Sequence, residues 1–153
     1  MANPESVAQF TLDNFGNARI ATATAVSLAT AGTAIANLAI LSGGLTNGGA
    51  VGNSGAVIIR KVVATTLNGA VSSAYVTITT SSDGAAANAV VSNVALSTLS
   101  AAGRYQDLPI AAAYGANTVV SGSVTQCLYV NVTTPSGNTN TVNFSVYGDV
   151  VSF

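Results

Sequence analysis

The chain is 153 residues long and 49% apolar, yet it has only four basic and five acidic residues, no histidine and one cysteine, for a net charge of −1. Four scattered cations, Arg19, Arg60, Lys61 and Arg104, do not make the clustered phosphate-neutralising surface that nucleic-acid binding needs. The lack of histidine removes Ser-His-Asp and Cys-His constellations and the commonest transition-metal ligand, and one cysteine cannot form an internal disulfide.

Residues 1–17 are expected to form an extended N-terminal arm. They hold Pro4, an Asp13-Asn14 pair of the kind that caps turns, and a Gly16-Asn17 turn signal; Phe10, Leu12 and Phe15 are its apolar anchors for a neighbouring molecule. The opening MANPESVAQF has neither a basic n-region nor an apolar h-region, so it does not read as a signal peptide, and synthesis in a cytosol is expected. Residues 20–41 are strongly apolar, but Thr, Ser, Asn and Gly interrupt them, which argues against a membrane-spanning helix. Their alanines would permit a helix. The alternation of Ile20, Thr22, Thr24, Val26 and Leu28 against Ala21, Ala23, Ala25 and Ser27 favours strands with a small-residue face.

SGGLTNGGAVGNSG, residues 42–55, has the composition of a flexible loop or a long hairpin tip. From residue 56 the β pattern is steady. AVIIRKVVATTL ends at Asn68-Gly69, SAYVTITTS precedes an Asp83-Gly84 turn, and AVVSNVALSTL covers residues 89–99. Residues 100–116 read as an irregular surface excursion broken at Pro109, and NTVVSGSV as a short strand. Leu128, Val130 and Val132 then alternate with Tyr129, Asn131 and Thr133. After the turn Pro135-Ser136-Gly137-Asn138, Val142, Phe144 and Val146 alternate with Asn143, Ser145 and Tyr147. Short alternating strands with frequent turn signals predict an all-β fold, an antiparallel sandwich of jelly-roll-like or Ig-like type. Residues 18–153 form its single domain.

No motif carries chemistry. The acids Glu5, Asp13, Asp83, Asp107 and Asp149 are far apart in sequence, and no Walker, zinc or EF-hand spacing is present. Neither catalysis nor a cofactor or metal is expected. Asp83 and Asp107 have a calcium-ligand reading and a blander one as turn and loop acids. Asn131-Val132-Thr133 and Asn143-Phe144-Ser145 match glycosylation sequons, but both fall inside predicted strands, where chance is the better explanation. Cys127 is expected as a small core residue. Tyr75, Tyr129 and Tyr147 stand opposite the aliphatic rows, as interface residues or as a second core layer. With Phe10, Leu12, Phe15 and Phe153 they are the candidate interface residues.

The charge deficit bears on function. Charged residues make up 6% of the chain, against about 25% in an average soluble domain. A folded chain of this mass exposes roughly 7,000 Å², which leaves one charge for about every 800 Å², the area that one partner contributes to a standard interface. Such a surface fits a molecule covered in its working state by copies of itself or by another protein; the plainer alternative is a monomer rich in hydroxyl and amide groups.

IIRKVVATTLNGAVSSAYVTITTSSDG and LYVNVTTPSGNTNTVNFSVYGDVV, within residues 56–151, resemble structural proteins of tailed-bacteriophage virions, most of all capsid cement (decoration) proteins. The shared pattern is a strand carrying a small-residue row, a turn, an Ala/Thr-rich strand, an LYVxVTTxxG strand and a terminal VxVYG strand, which reads FSVYG in this chain. The resemblance implies a β-sandwich that binds the major capsid protein on the capsid surface, commonly as a homotrimer, made in the host bacterial cytoplasm. From the scattered cations and the interrupted 20–41 stretch, no nucleic-acid or membrane partner is expected. Two further readings stay open: a tail, fibre or minor head component, and an ice- or carbohydrate-binding β-protein suggested by Thr22-x-Thr24 and Thr77-x-Thr79.

Overall fold

Residues 18–40, whose alanines would equally permit a helix, form two strands in the computed structural model, which describes residues 18–40, 56–115, 118–121 and 127–151. The strands are β1 (Ala18–Ser27), β2 (Gly32–Ile40), β3 (Ala56–Thr66), β4 (Tyr75–Thr79), β5 (Ala89–Ala95), β6 (Tyr105–Leu108), β7 (Val119–Ser121), β8 (Cys127–Thr134) and β9 (Thr141–Val151). Two single 3-10 turns, Ala86–Asn88 and Ala112–Tyr114, are the helical elements among the described residues. The arm expected over residues 1–17, with Phe10, Leu12 and Phe15, the glycine-rich segment 42–55 and Phe153 lie outside the described residues.

All neighbouring strands pair antiparallel, in the order β5-β4-β8-β2-β1-β9-β3-β6, and β7 also pairs with β3. The ladder folds over between β2 and β1, which meet only at Ala21–Ile40 and Thr22–Ala39. Two four-stranded layers result, β5-β4-β8-β2 and β1-β9-β3-β6. The β1–β2 pair lies along the β9–β8 pair, and the chain crosses from layer to layer between β1 and β2, β2 and β3, β3 and β4, β5 and β6, β7 and β8, and β8 and β9. This is the strand order of a jelly roll, so of the two expected sandwich types the Ig-like one is set aside.

One core fills the space between the layers. Phe144 is its largest fully buried side chain, joined by Ile20, Leu38, Ile59, Ile78 and Leu128. Burial of a side chain of this kind stabilises the fold by about 1.5–3 kcal/mol. On β8 and β9 the inward rows are those read from the sequence: Leu128, Val130, Val132 and Val142, Phe144, Val146. Cys127 is a correction. It belongs to the outward row of β8 with Tyr129 and is half-buried, not a core residue.

The alternation expected on β1 does not hold. Ile20, Ala21, Ala23, Val26 and Leu28 are buried, while Thr24, Ala25 and Ser27 are exposed. The register against β9 slips between Arg19 and Ala21 and again between Ala23 and Val26. Each bulge places two successive residues on one side and resets the period of two.

Three bulges share one construction. Ala25, Ala34 and Asn93 have positive φ, 53°, 47° and 44°, in a region that costs a non-glycine residue about 1–2 kcal/mol. In each, the neighbouring strand supplies a side-chain oxygen to the backbone N–H at that point. Asn143 Oδ1 accepts from Ala25 at 2.7 Å, Asn131 Oδ1 from Ala34 at 2.8 Å, and Thr77 Oγ1 from Asn93 at 3.0 Å. The polar residues of the strands thus satisfy the donors that the bulges remove from the ladder.

β6 corrects another expectation, because YQDL lies within the stretch read as irregular. It has no apolar alternation; what makes it a strand is the free edge of β3, against which Tyr105–Leu108 pair with Thr65–Val62. β6 and the chain after it shield the edge strand β5. The Gln106 side chain donates to the Ala95 carbonyl at 2.7 Å, and the Ala111 N–H donates to the Val90 carbonyl at 2.8 Å. Together with the bulge at Asn93, these contacts blunt an edge that has no charged residue or proline to do so.

Candidate functional site: the two outer faces

The outward row of the β4–β8 pair consists of Tyr75, Thr77 and Thr79 beside Thr133, Asn131 and Tyr129. Thr77, Thr79 and Asn131 are nevertheless buried, at 7%, 0% and 4% exposure. The bulge of β2 and the turn after β4 lie over them: a Cβ added to Gly84 would stand 2.8 Å from Thr33 Cγ2 and 3.3 Å from Asn131 Oδ1. Asn131 joins these parts. Its oxygen accepts from Ala34, and its Nδ2 donates to Thr79 Oγ1 at 3.0 Å and to the Thr77 and Tyr129 carbonyls at 3.3 Å. An amide engaged in this way has no room for a glycan. The second sequon asparagine, Asn143, holds Ala25.

Asp83 caps its own turn. Its Oδ1 accepts from the Ser81 hydroxyl and from the Ala85 N–H at 2.9 Å, and these bonds, the Ser81 one first, lower its pKa below the ordinary carboxylate value. Asp107 lies on the other sheet beside Lys61, so the two acids of the calcium reading do not meet. Among the described residues no three His, Cys, Asp or Glu side chains come together, and no helix is long and apolar enough to cross a membrane. The Thr-x-Thr pairs are also separated, one on β1 and one on β4, and Thr77 and Thr79 are buried under the turn. They do not form the flat exposed threonine array that ice binding needs.

The candidate tyrosines fall on three separate places. Tyr75 is exposed at the start of β4, Tyr129 is half-buried at the far end of the same outer face, and Tyr147 is half-buried on the outer face of the opposite sheet. The structure does not bring them together. Two exposed side chains escaped the sequence reading, Leu67 at 63% and Tyr105 at 67%. Both flank the loops at the Tyr75 end of the sandwich. Leu67 was hidden because it looked like the last apolar residue of β3, when that strand ends in the buried Thr66.

This loop end is tightly stitched. Ser136 N–H donates to the Leu28 carbonyl at 2.8 Å, Asn138 and Asn140 both donate to the Ala70 carbonyl, and Asn68 Oδ1 accepts from Thr141. The opposite end is where β1 begins, β2 ends and β3 begins, as the pairs Ala18–Gly148, Ala21–Ile40 and Ala56–Val151 show.

The charges divide unevenly between the two faces. β5, β4, β8 and β2 contain no Lys, Arg, Asp or Glu. The charged strand residues all belong to the other sheet: Arg19 on β1, Arg60 and Lys61 on β3, Asp107 on β6 and Asp149 on β9. There Arg60 pairs with Asp149 at 2.8 Å and Lys61 with Asp107 at 3.3 Å across neighbouring strands. Arg19 and Lys61 flank Tyr147 in register. No family model, curated protein or solved structure matches the chain.

Proposed function

We propose that this protein is a structural component of a tailed-phage virion that binds the assembled capsid and bridges subunits of the major capsid protein, in the manner of a cement protein. The observation that supports it is a jelly roll whose polar side chains are spent on its own framework. Asn131, Asn143, Thr77, Gln106, Asn138 and Asn140 each hold backbone. What this scaffold offers another molecule is surface, and a surface poor in ions docks without the cost of desolvating them. The virion-protein resemblance of residues 56–151 supplies the kind of partner; fold alone would not.

In this role the protein binds the expanded lattice more tightly than the unexpanded one and stabilises it by mass action. Association into a homotrimer multiplies weak contacts by symmetry. Mixing the purified protein with expanded and unexpanded capsids, followed by co-sedimentation, tests this. Retention by expanded shells is the expected result, and equal or no retention overturns it. Binding to purified tails in place of heads would move the protein to the tail or fibre class.

A further inference from the structure

We propose that the bulges of this jelly roll guard its open edges: they keep strands of a second copy from adding to β1, β2 and β5, so that other molecules meet this protein through side chains and not through strand addition. The inference concerns copies of this chain and does not rest on the capsid reading.

An open strand edge presents a row of backbone N–H and C=O groups to any other strand. β5 is the last strand of its sheet, and β1 and β2 touch each other at only two residue pairs. Among the described residues, 23–27 of β1 and 32–38 of β2 therefore have no strand on their second side. The usual guards of such edges are lysine and proline. β2 (GTAIANLAI) and β5 (AVVSNVA) contain no charge and no proline, and β1 has only Arg19, at its start. Uncharged segments of this kind, free of proline, pair readily with one another when exposed. A chain with 6% charged residues is left to defend these edges by shape.

The register shows where the shape changes. One extra residue lies on β1 between Ala23 and Val26, two lie on β2 between Gly32 and Ala36, and one lies on β5 between Val91 and Val94. The extra residue of β3, Arg60, falls in the gap between its pairs with β7 and with β6. β4 and β9, which have strands on both sides, carry none. Ala25, Ala34 and Asn93 sit in the three edge bulges, in a left-handed conformation that non-glycine residues hold only at a cost. Their N–H groups are bonded to side chains of the neighbouring strand, so none is offered to an incoming strand. Each bulge also bends and twists its strand, and a flat partner cannot follow it. β6, the remaining edge, is regular, but it is four residues long and Thr98 bonds to its Gln106 side chain and Tyr105 carbonyl.

The test is to straighten the edges. Deleting Ala25 makes β1 regular, because Ala23, Thr24 and Val26 then match Phe144, Asn143 and Val142 one to one, with Ala23 and Val26 still inward. Deleting Asn93 does the same for β5, setting Val91, Ser92 and Val94 against Ile78, Thr77 and Val76. Thermal melts establish whether each deletion variant folds, and sedimentation velocity compares its mass with that of the wild type. The expected result is that both fold and self-associate, to about twice the wild-type mass or more. Thr24→Lys added to the Ala25 deletion should return it to the wild-type mass, because the lysine restores a guard. Folded deletion variants of wild-type mass overturn the proposal, and so does association that survives Thr24→Lys. If neither deletion variant folds, the bulges serve folding itself and the proposal falls. No capsid enters the experiment, so its outcome leaves the capsid reading where it was.

Discussion

Replacing Asn131 with alanine probes how far a single buried amide holds the outer layer of the fold. The substitution removes two well-formed hydrogen bonds, from Ala34 N–H at 2.8 Å and to Thr79 Oγ1 at 3.0 Å, and two longer ones to the Thr77 and Tyr129 carbonyls. A typical net contribution of about 1 kcal/mol per good bond gives about 2 kcal/mol. Thr79 keeps its bond to the Ser81 carbonyl, but Ala34 loses the acceptor of an N–H held in the left-handed region. Leaving that donor without a partner adds about 1–2 kcal/mol. The sum is about 3–4 kcal/mol, a large share of the roughly 5–15 kcal/mol that a domain has in total.

Urea denaturation measures this directly, and the melting temperature should fall by about 6–16 °C, taking 2–4 °C per kcal/mol for a chain of this size. Asn131→Asp is a second arm. It keeps an acceptor for Ala34 but turns an oxygen toward the Thr77 and Tyr129 carbonyls in place of the donor, and should destabilise at least as much at neutral pH. A loss below about 1 kcal/mol for Asn131→Ala would refute the view that this amide latches the β2 bulge and the turn above it, since one ordinary hydrogen bond would account for it.

Other substitutions test other parts of the scaffold. Ala25→Gly should be neutral or stabilising by up to about 1 kcal/mol, because relief of left-handed strain outweighs glycine's extra unfolded-state entropy; Ala25→Val, β-branched at φ 53°, should cost about 2 kcal/mol in the same melts. Gly148→Ala sets a Cβ 2.0 Å from the Ile58 carbonyl oxygen, so β9 and β3 must separate. A loss of about 3 kcal/mol or more is expected, read as low soluble yield or a collapsed melting transition. Asp83 has a folded-state pKa below 3.8. The stability it contributes is present above that value and disappears as pH falls through the lower folded-state pKa. Melting temperatures of wild type and Asp83→Asn measured from pH 6 to pH 2.5 should therefore differ most at the top of the range, the gap narrowing as pH falls.

The strands themselves were legible because their signals are local. Alternating Val130/Val132 and Val142/Phe144/Val146 rows, and turn residues at Asn68-Gly69 and Gly137, act within a few residues of chain, and Gly69 and Gly137 do have positive φ. The near-absence of ions was likewise readable from composition alone. What the sequence could not decide is whatever depends on a neighbour distant along the chain. Ala25 and Ala34 are poor residues for a left-handed backbone, and they adopt it because Asn143 and Asn131, about a hundred positions away, receive their N–H groups. That exchange shifts the phase of β1 and moves Thr24 away from the Ile20 side. YQDL is a strand only because β3 has an edge to share. The division of charge between the two faces has the same origin: Arg19, Lys61, Asp107 and Asp149 are far apart in sequence, and jelly-roll pairing is what gathers their strands into one sheet. Side-chain period is a property of a segment, whereas register, bulges and the company a charge keeps are properties of pairs, and pairs form only in the folded chain.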